Sequence, residues 1–206
     1  MISAFSIGFF LGISLIMAIG AQNTFVLKQG ILGNHLLVIA LFCSIADALL
    51  IVIGVTGISF FLNNFFDEFS NLLFGLSFLW LAGYGAIRLK SALSKSTSFE
   101  IEVAKSSNLL ETLSILTILT FANPHVYLDT MILIGAVSQQ FIGGDKIAFT
   151  FGASLASFIF FFSLSYGAKL LSPIMKRPFS WRILDAIVSL IMFILAIKMA
   201  YAGNWL

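Results

Sequence analysis

The chain has 206 residues, of which 60% are hydrophobic and only 10% charged. Soluble domains carry roughly a quarter charged residues. One or two soluble domains of this length are therefore excluded, and lipid replaces a buried core as the apolar environment. A net charge of +2 is too small to mark a nucleic-acid binder, and Cys43, the single cysteine, permits no intramolecular disulfide.

A membrane span needs roughly 20 apolar residues at a rise of about 1.5 Å each. Six stretches meet that requirement: Ile2–Leu27, Leu36–Leu62, Phe69–Leu89, Leu109–Val137, Ile147–Leu171 and Ile183–Gly203. The expected fold is an all-α integral membrane protein with about six transmembrane helices. No Lys or Arg precedes Lys28, so the first stretch is expected to be a retained span rather than a cleaved leader. Lys and Arg gather in alternate connections: Lys28, then Arg88, Lys90, Lys95 and Lys105, then Lys169, Lys176, Arg177 and Arg182. Those connections should face the cytoplasm, which places both termini in the periplasm of a multi-pass inner-membrane protein. Five spans with the N-terminus inside is the competing topology.

The polar stretch 91–108 reads as a flexible cytoplasmic linker between two three-helix halves, 1–90 and 109–206. The halves are faintly alike. Ala21-Gln22-Asn23-Thr24-Phe25-Val26-Leu27 aligns with Ala122-Asn123-Pro124-His125-Val126-Tyr127-Leu128, matching Asn23 to Asn123 and Val26 to Val126. Three spans per half would invert one half relative to the other, the inverted-repeat plan of many secondary transporters.

Ionisable groups in hydrocarbon are costly and mark function more often than packing. Asp47 lies near the middle of the second span, with Cys43 and Ser44 one turn earlier on its face. It is expected to hold a cation or a proton. A carboxylic acid hydrogen-bonded to a neighbouring helix is the structural alternative. Asp129 ends the run Asn123-Pro124-His125-Val126-Tyr127-Leu128-Asp129. Pro124 donates no backbone hydrogen bond and disfavours helix at Asn123, so the fourth span should break there. The new helix start suits a substrate carboxylate, and His125 and Asp129 share a face four residues apart. A Pro kink satisfied by Asn123 and water is the plainer alternative.

Gly20-Ala21-Gln22-Asn23 marks a matching break or polar kink in the first span. Gln22 and Asn23 either bind the zwitterionic part of a substrate or hydrogen-bond between helices. Lys198, deep in the sixth span, either pairs with Asp129 or snorkels to the outer surface, the simpler reading. Asp185 follows Arg182 near a cytoplasmic end, where an interfacial ion pair explains it. Gly8 and Gly12 form a close-packing pair that also permits a homo-oligomer. Trp80, Trp181 and Trp205 read as lipid-facing or interfacial. Enzyme motifs and a metal-ligand cluster are absent from the sequence, so neither a cofactor nor a metal is expected.

These motifs resemble the lysine exporter (LysE) family of bacterial amino-acid exporters. The resemblance runs through Gly20-Ala21-Gln22-Asn23 to Lys28-Gln29-Gly30, then Ser44-Ile45-Ala46-Asp47 with Gly54, then Asn123-Pro124-His125-Val126-Tyr127-Leu128-Asp129-Thr130. The last stretch looks especially like the arginine-exporter branch. The resemblance implies secondary export of a basic amino acid, arginine or lysine, across the inner membrane, driven by an ion gradient. One departure is Ala21, where the family usually has Pro before Gln-Asn. On the residues alone, Asp47 and Asp129 would compensate cationic charge and Asn23 and Asn123 would orient the backbone groups. A proton would be the coupling ion, with His125 assisting, and Pro124 and Lys198 would serve gating. Rival readings are export of neutral amino acids or another small cation, a channel, and a non-transporting membrane scaffold.

Overall fold

The computed structural model describes residues 1–17, 20–93, 108–171, 173 and 178–203. Every regular element among them is helical. In chain order they are α1 (Ile2–Ile16), α2 (Ala21–Leu32), α3 (Leu36–Ile53), α4 (Ser59–Leu93), α5 (Leu109–Phe121), α6 (Pro124–Ser138), α7 (Gly144–Gly167) and α8 (Pro178–Ala202). Most of the expected linker, residues 94–107, lies outside the described residues, as does Trp205.

Among the described residues, three helical stretches are long and apolar enough to cross a membrane alone: Leu36–Gly57, Gly144–Leu171 and Phe179–Ala202. Two further spans are bent pairs. α1 and α2 meet at 81°, and α5 and α6 at 59°. Both bends fall where the backbone chemistry demands them. Gly20 is extended at the start of α2, and Asn123 is extended ahead of Pro124, which cannot continue the helix of α5.

The connection between the second and third spans differs from expectation. The sequence pointed to a loop around Asp67 and Glu68, between spans ending at Leu62 and starting at Phe69. Instead α3 passes into a short π-helical stretch, Gly54–Ile58, and α4 starts at Ser59. Gly57 makes the turn with φ 142°, a backbone conformation closed to L side chains. Nothing between Asn63 and Glu68 then stops the helix, so the acidic residues sit within it. At 35 residues, α4 is about 52 Å long and outreaches the ~30 Å hydrocarbon layer.

Each half therefore runs in the same order: a broken span, a long apolar helix, and a second long helix. α1 packs against α7, α3 against α7, and α4 against α8. The α1–α7 approach depends on glycine. A Cβ at Gly8 would meet the carbonyl oxygen of Phe149, one at Gly152 that of Phe5, and one at Gly12 would come within 3.1 Å of Ala153 O. The Gly8 and Gly12 face is thus filled within the chain, and it offers no free surface for a second copy. Phe149, Ala153, Ile51, Val55 and Ile134 form one buried apolar cluster beside it.

Candidate functional site

The two breaks face each other across one small cavity. Its wall includes Gly20, Gln22 and Asn23 from the first break, and Asn123, His125, Asp129 and Thr130 from the second. Asp47 of α3 joins them, with Leu15, Ile16, Phe161 and Leu195 as apolar lining. Six residues singled out in the sequence thus line one space although they come from three separate stretches. Pro124 shapes the site from the backbone, at the first turn of α6. Lys198 does not line it. That lysine is exposed on α8, and the group facing Asp129 is His125.

The broken ends are satisfied by polar side chains reaching back across each bend. Asn23 donates from Nδ2 to the carbonyl of Ile16, the last residue of α1, at 2.8 Å. Tyr127 donates its hydroxyl to the carbonyl of Phe121, the last residue of α5, at 2.7 Å. Carbonyls at a helix end have no partner in their own helix, and in hydrocarbon they must find one elsewhere. At the start of α6, Asn123 Oδ1 accepts from the His125 backbone N–H at 3.1 Å. One of the N–H groups expected to receive a substrate carboxylate there is therefore already occupied. The start of α2 has no side-chain cap, so it is the better anion end of the cavity.

Asp47 is 4% exposed, held between α3 and the Ser157 side of α7. Ser44, one turn before it, donates to Ala40 O at 2.7 Å and lies 3.4 Å from Ser157 O. Small residues Gly152, Ala153, Ala156 and Ser157 allow this close approach of α7. His125 Nε2 stands 3.2 Å from Asp129 Oδ2. The remaining imidazole nitrogen, Nδ1, is buried without a partner, as is Nε2 of Gln22. Unpaired buried polar atoms lining a cavity invite a polar occupant.

Sequence reasoning missed two features. Tyr127–Leu133 is wound as a π-helix, a wider turn that is frequent at functional sites. It carries Asp129, and Thr130 within it donates to Val126 O at 2.7 Å. No residue in that run breaks a helix, so the signal was not local. The second feature is Asp185. It pairs with Arg88 of α4 at 3.4 Å, not with Arg182, whose Nε donates to Ala92 O at 2.8 Å. Trp181 is also buried, at 4% exposure, with the Lys28 ammonium 5.8 Å from its ring centroid, rather than lipid-facing.

The cavity measures about 60 Å³. A ~150 Å³ protein cavity is needed to hold one benzene, so this one holds a few waters and no amino acid. It is narrow, and it must widen to admit a solute of that size. Among the described residues, no three His, Cys, Asp or Glu side chains gather as a metal would require.

The family model for LysE type translocators matches residues 13–203. The chain belongs to that family. A LysE translocator is a membrane transporter, not an enzyme, and the broken spans and midspan carboxylates lie within the matched region. The chain is 36% identical to the arginine exporter protein ArgO of Photorhabdus laumondii, over 98% of both chains. It is 35% identical to the ArgO of Pectobacterium carotovorum, over 98% of this chain and 99% of that one. It is also 35% identical to that of Yersinia enterocolitica, over 98% of both. No solved structure matches the chain.

Proposed function

We propose that this LysE translocator exports basic amino acids, arginine or lysine, across the bacterial inner membrane by a secondary, gradient-driven mechanism. The observation that carries this reading is the meeting of two helix breaks and two carboxylates, Asp47 and Asp129, in one cavity. Near-complete alignment with proteins named arginine exporters supports the same cargo.

Each part of the substrate has a complementary wall. Asp47 takes the cationic side chain, since a buried carboxylate without a counter-ion gains most from a cation. The uncapped start of α2 takes the carboxylate, and Gln22, Asn23 and Asn123 orient the backbone groups. The His125–Asp129 pair supplies the coupling step. A proton on His125 balances Asp129 when the site is empty, and its departure frees Asp129 for the substrate ammonium. Pro124 and the π-helical turn after it let this segment move without unwinding a regular helix. The parallel order of the two halves fits a pair of inverted repeats rocking around this midplane site, with both termini in the periplasm.

A neutral amino acid is the second reading. If His125 stays protonated, it offsets Asp129, and one carboxylate then suffices for a substrate ammonium alone. Counterflow of labelled arginine in proteoliposomes, competed by lysine and by threonine, decides between them. Arginine counterflow suppressed by lysine but not by threonine supports basic cargo. No arginine counterflow, with labelled threonine exchanged instead, would overturn it.

A further inference from the structure

Outside the cavity lining, one buried charged pair has no part in the mechanism above. Asp185 of α8 and Arg88 of α4 keep only 9% and 17% of their side chains exposed. Arg88 Nη1 lies 3.4 Å from Asp185 Oδ1, and Ser91 Oγ donates to Asp185 Oδ2 at 2.8 Å. The guanidinium also lies over the ring of Tyr84, 4.8 Å from its centroid, and its Nη2 donates to the Tyr84 hydroxyl at 2.7 Å. That hydroxyl in turn donates to the carbonyl of Ala21 at 3.5 Å. Ala21 is wholly buried, and its neighbours Gly20 and Gln22 both line the cavity.

We propose that Asp185, Arg88 and Tyr84 form a latch that ties the first turn of α2 to α4, itself paired with α8, and so keeps the cavity narrow. All three are positioning residues, since none lines the cavity. The chain of contacts is continuous from a buried ion pair to the backbone of the first break. Arg88 has its guanidinium fixed by a carboxylate on one side and a phenol on the other, a geometry that a lysine cannot reproduce. The phenol hydroxyl both accepts from Arg88 and donates to Ala21, so the long Ala21 bond is polarised by the charge behind it. Widening the cavity at Gly20 and Gln22 moves Ala21 away from Tyr84 and breaks this link first. The inference rests on the cavity being the substrate site.

The chain carries its own reporter. Cys43 is its one thiol, fully buried and beside Gln22. Cys43 sits just behind the cavity wall, packed with Ile16 and Phe161, so its alkylation by N-ethylmaleimide in proteoliposomes reads how often that wall opens. Two variants loosen the latch without stranding a buried charge: the doubly neutral Arg88→Gln with Asp185→Asn, and Tyr84→Phe, which keeps the ring and removes the hydroxyl. Both are expected to label several-fold faster than the parent chain at an unchanged melting temperature. Tyr84→Phe should also alter arginine turnover while leaving KM in place, which a loss of folding would not do. If the double variant fails to fold, Tyr84→Phe decides alone. Labelling of folded Tyr84→Phe at the parent rate, with unchanged turnover, would overturn the latch. Faster labelling of the variants in a chain that exports no amino acid would keep the latch and remove the transport reading instead.

Discussion

Asn23 donates across the first bend to the carbonyl of Ile16, seven residues back, at 2.8 Å. Tyr127 makes the corresponding bond across the second bend, to Phe121 at 2.7 Å. The two residues do not align in sequence, since Asn23 pairs with Asn123. Each half has closed its broken span with whichever side chain reached the orphaned carbonyl. Removing the Asn23 donor leaves the Ile16 carbonyl unsatisfied in the buried interior, at about 1–3 kcal/mol, whereas the Tyr127–Phe121 bond lies at the exposed surface of the fold and its loss costs less. Asn23→Ala and Tyr127→Phe are therefore expected to lower the melting temperature in detergent. Asn23→Ala should also weaken substrate binding, because that residue lines the cavity, whereas Tyr127→Phe should leave KM close to the parent value. Efflux kinetics on both variants check the distinction.

The His125–Asp129 pair, 3.2 Å apart, gives Asp129 a partner on its own helix inside the cavity. His125→Gln removes the imidazole from that pair and is expected to change the KM for arginine several-fold at an unchanged melting temperature. Initial rates of efflux over a range of arginine concentrations check it.

Arg88 and Arg182 look equivalent in sequence, and their environments separate them. Arg88→Ala leaves Asp185 buried and unpaired, which costs about 3–5 kcal/mol. Arg182→Ala removes one hydrogen bond to Ala92 O, at about 1 kcal/mol. Thermal unfolding of the two variants side by side should show the larger loss for Arg88.

The α1–α7 contact and the packing of α6 on Gly54 each set a steric limit. At Gly8 a Cβ would meet the Phe149 carbonyl, and at Gly54 it would lie 2.5 Å from Met131 O. Both neighbours are backbone, so neither can swing aside. Gly8→Val and Gly54→Val are expected to cost about 1–3 kcal/mol or more. A lower melting temperature or loss of folded protein on expression would register it, while Gly83→Val, with open space at its Cβ, should be tolerated.

The sequence made the breaks legible because they are local backbone chemistry. Pro124 forbids the helix that precedes it, and Gly20 with Asn23 weakens the first span wherever it is placed. Asp47 stood out because a carboxylate in an apolar run is costly whether it meets a cation or a neighbouring helix. The turn at Gly57 was not legible, since a lone glycine in an apolar run reads as packing and the polar residues at 63–68 looked more like a loop. The pairing of Asp185 with Arg88 spans 97 positions, and Arg182 stood nearer in the chain. Lys198 attracted attention for its depth along the helix, but depth does not say which face a side chain takes. The π-helical turn at Tyr127–Leu133 packs against Gly54, distant in the chain, and left no mark in composition.

The central claim is that Asp47 and Asp129 compensate the substrate's positive charges. Counterflow of labelled arginine in proteoliposomes, comparing the parent chain with Asp47→Asn and Asp129→Asn, tests it most directly. Loss of one charge partner should raise KM at least about tenfold, equivalent to ~1.4 kcal/mol, and the double variant should show no saturable counterflow. Folded Asp47→Asn/Asp129→Asn protein that still exchanges arginine with the parent KM would contradict the assignment.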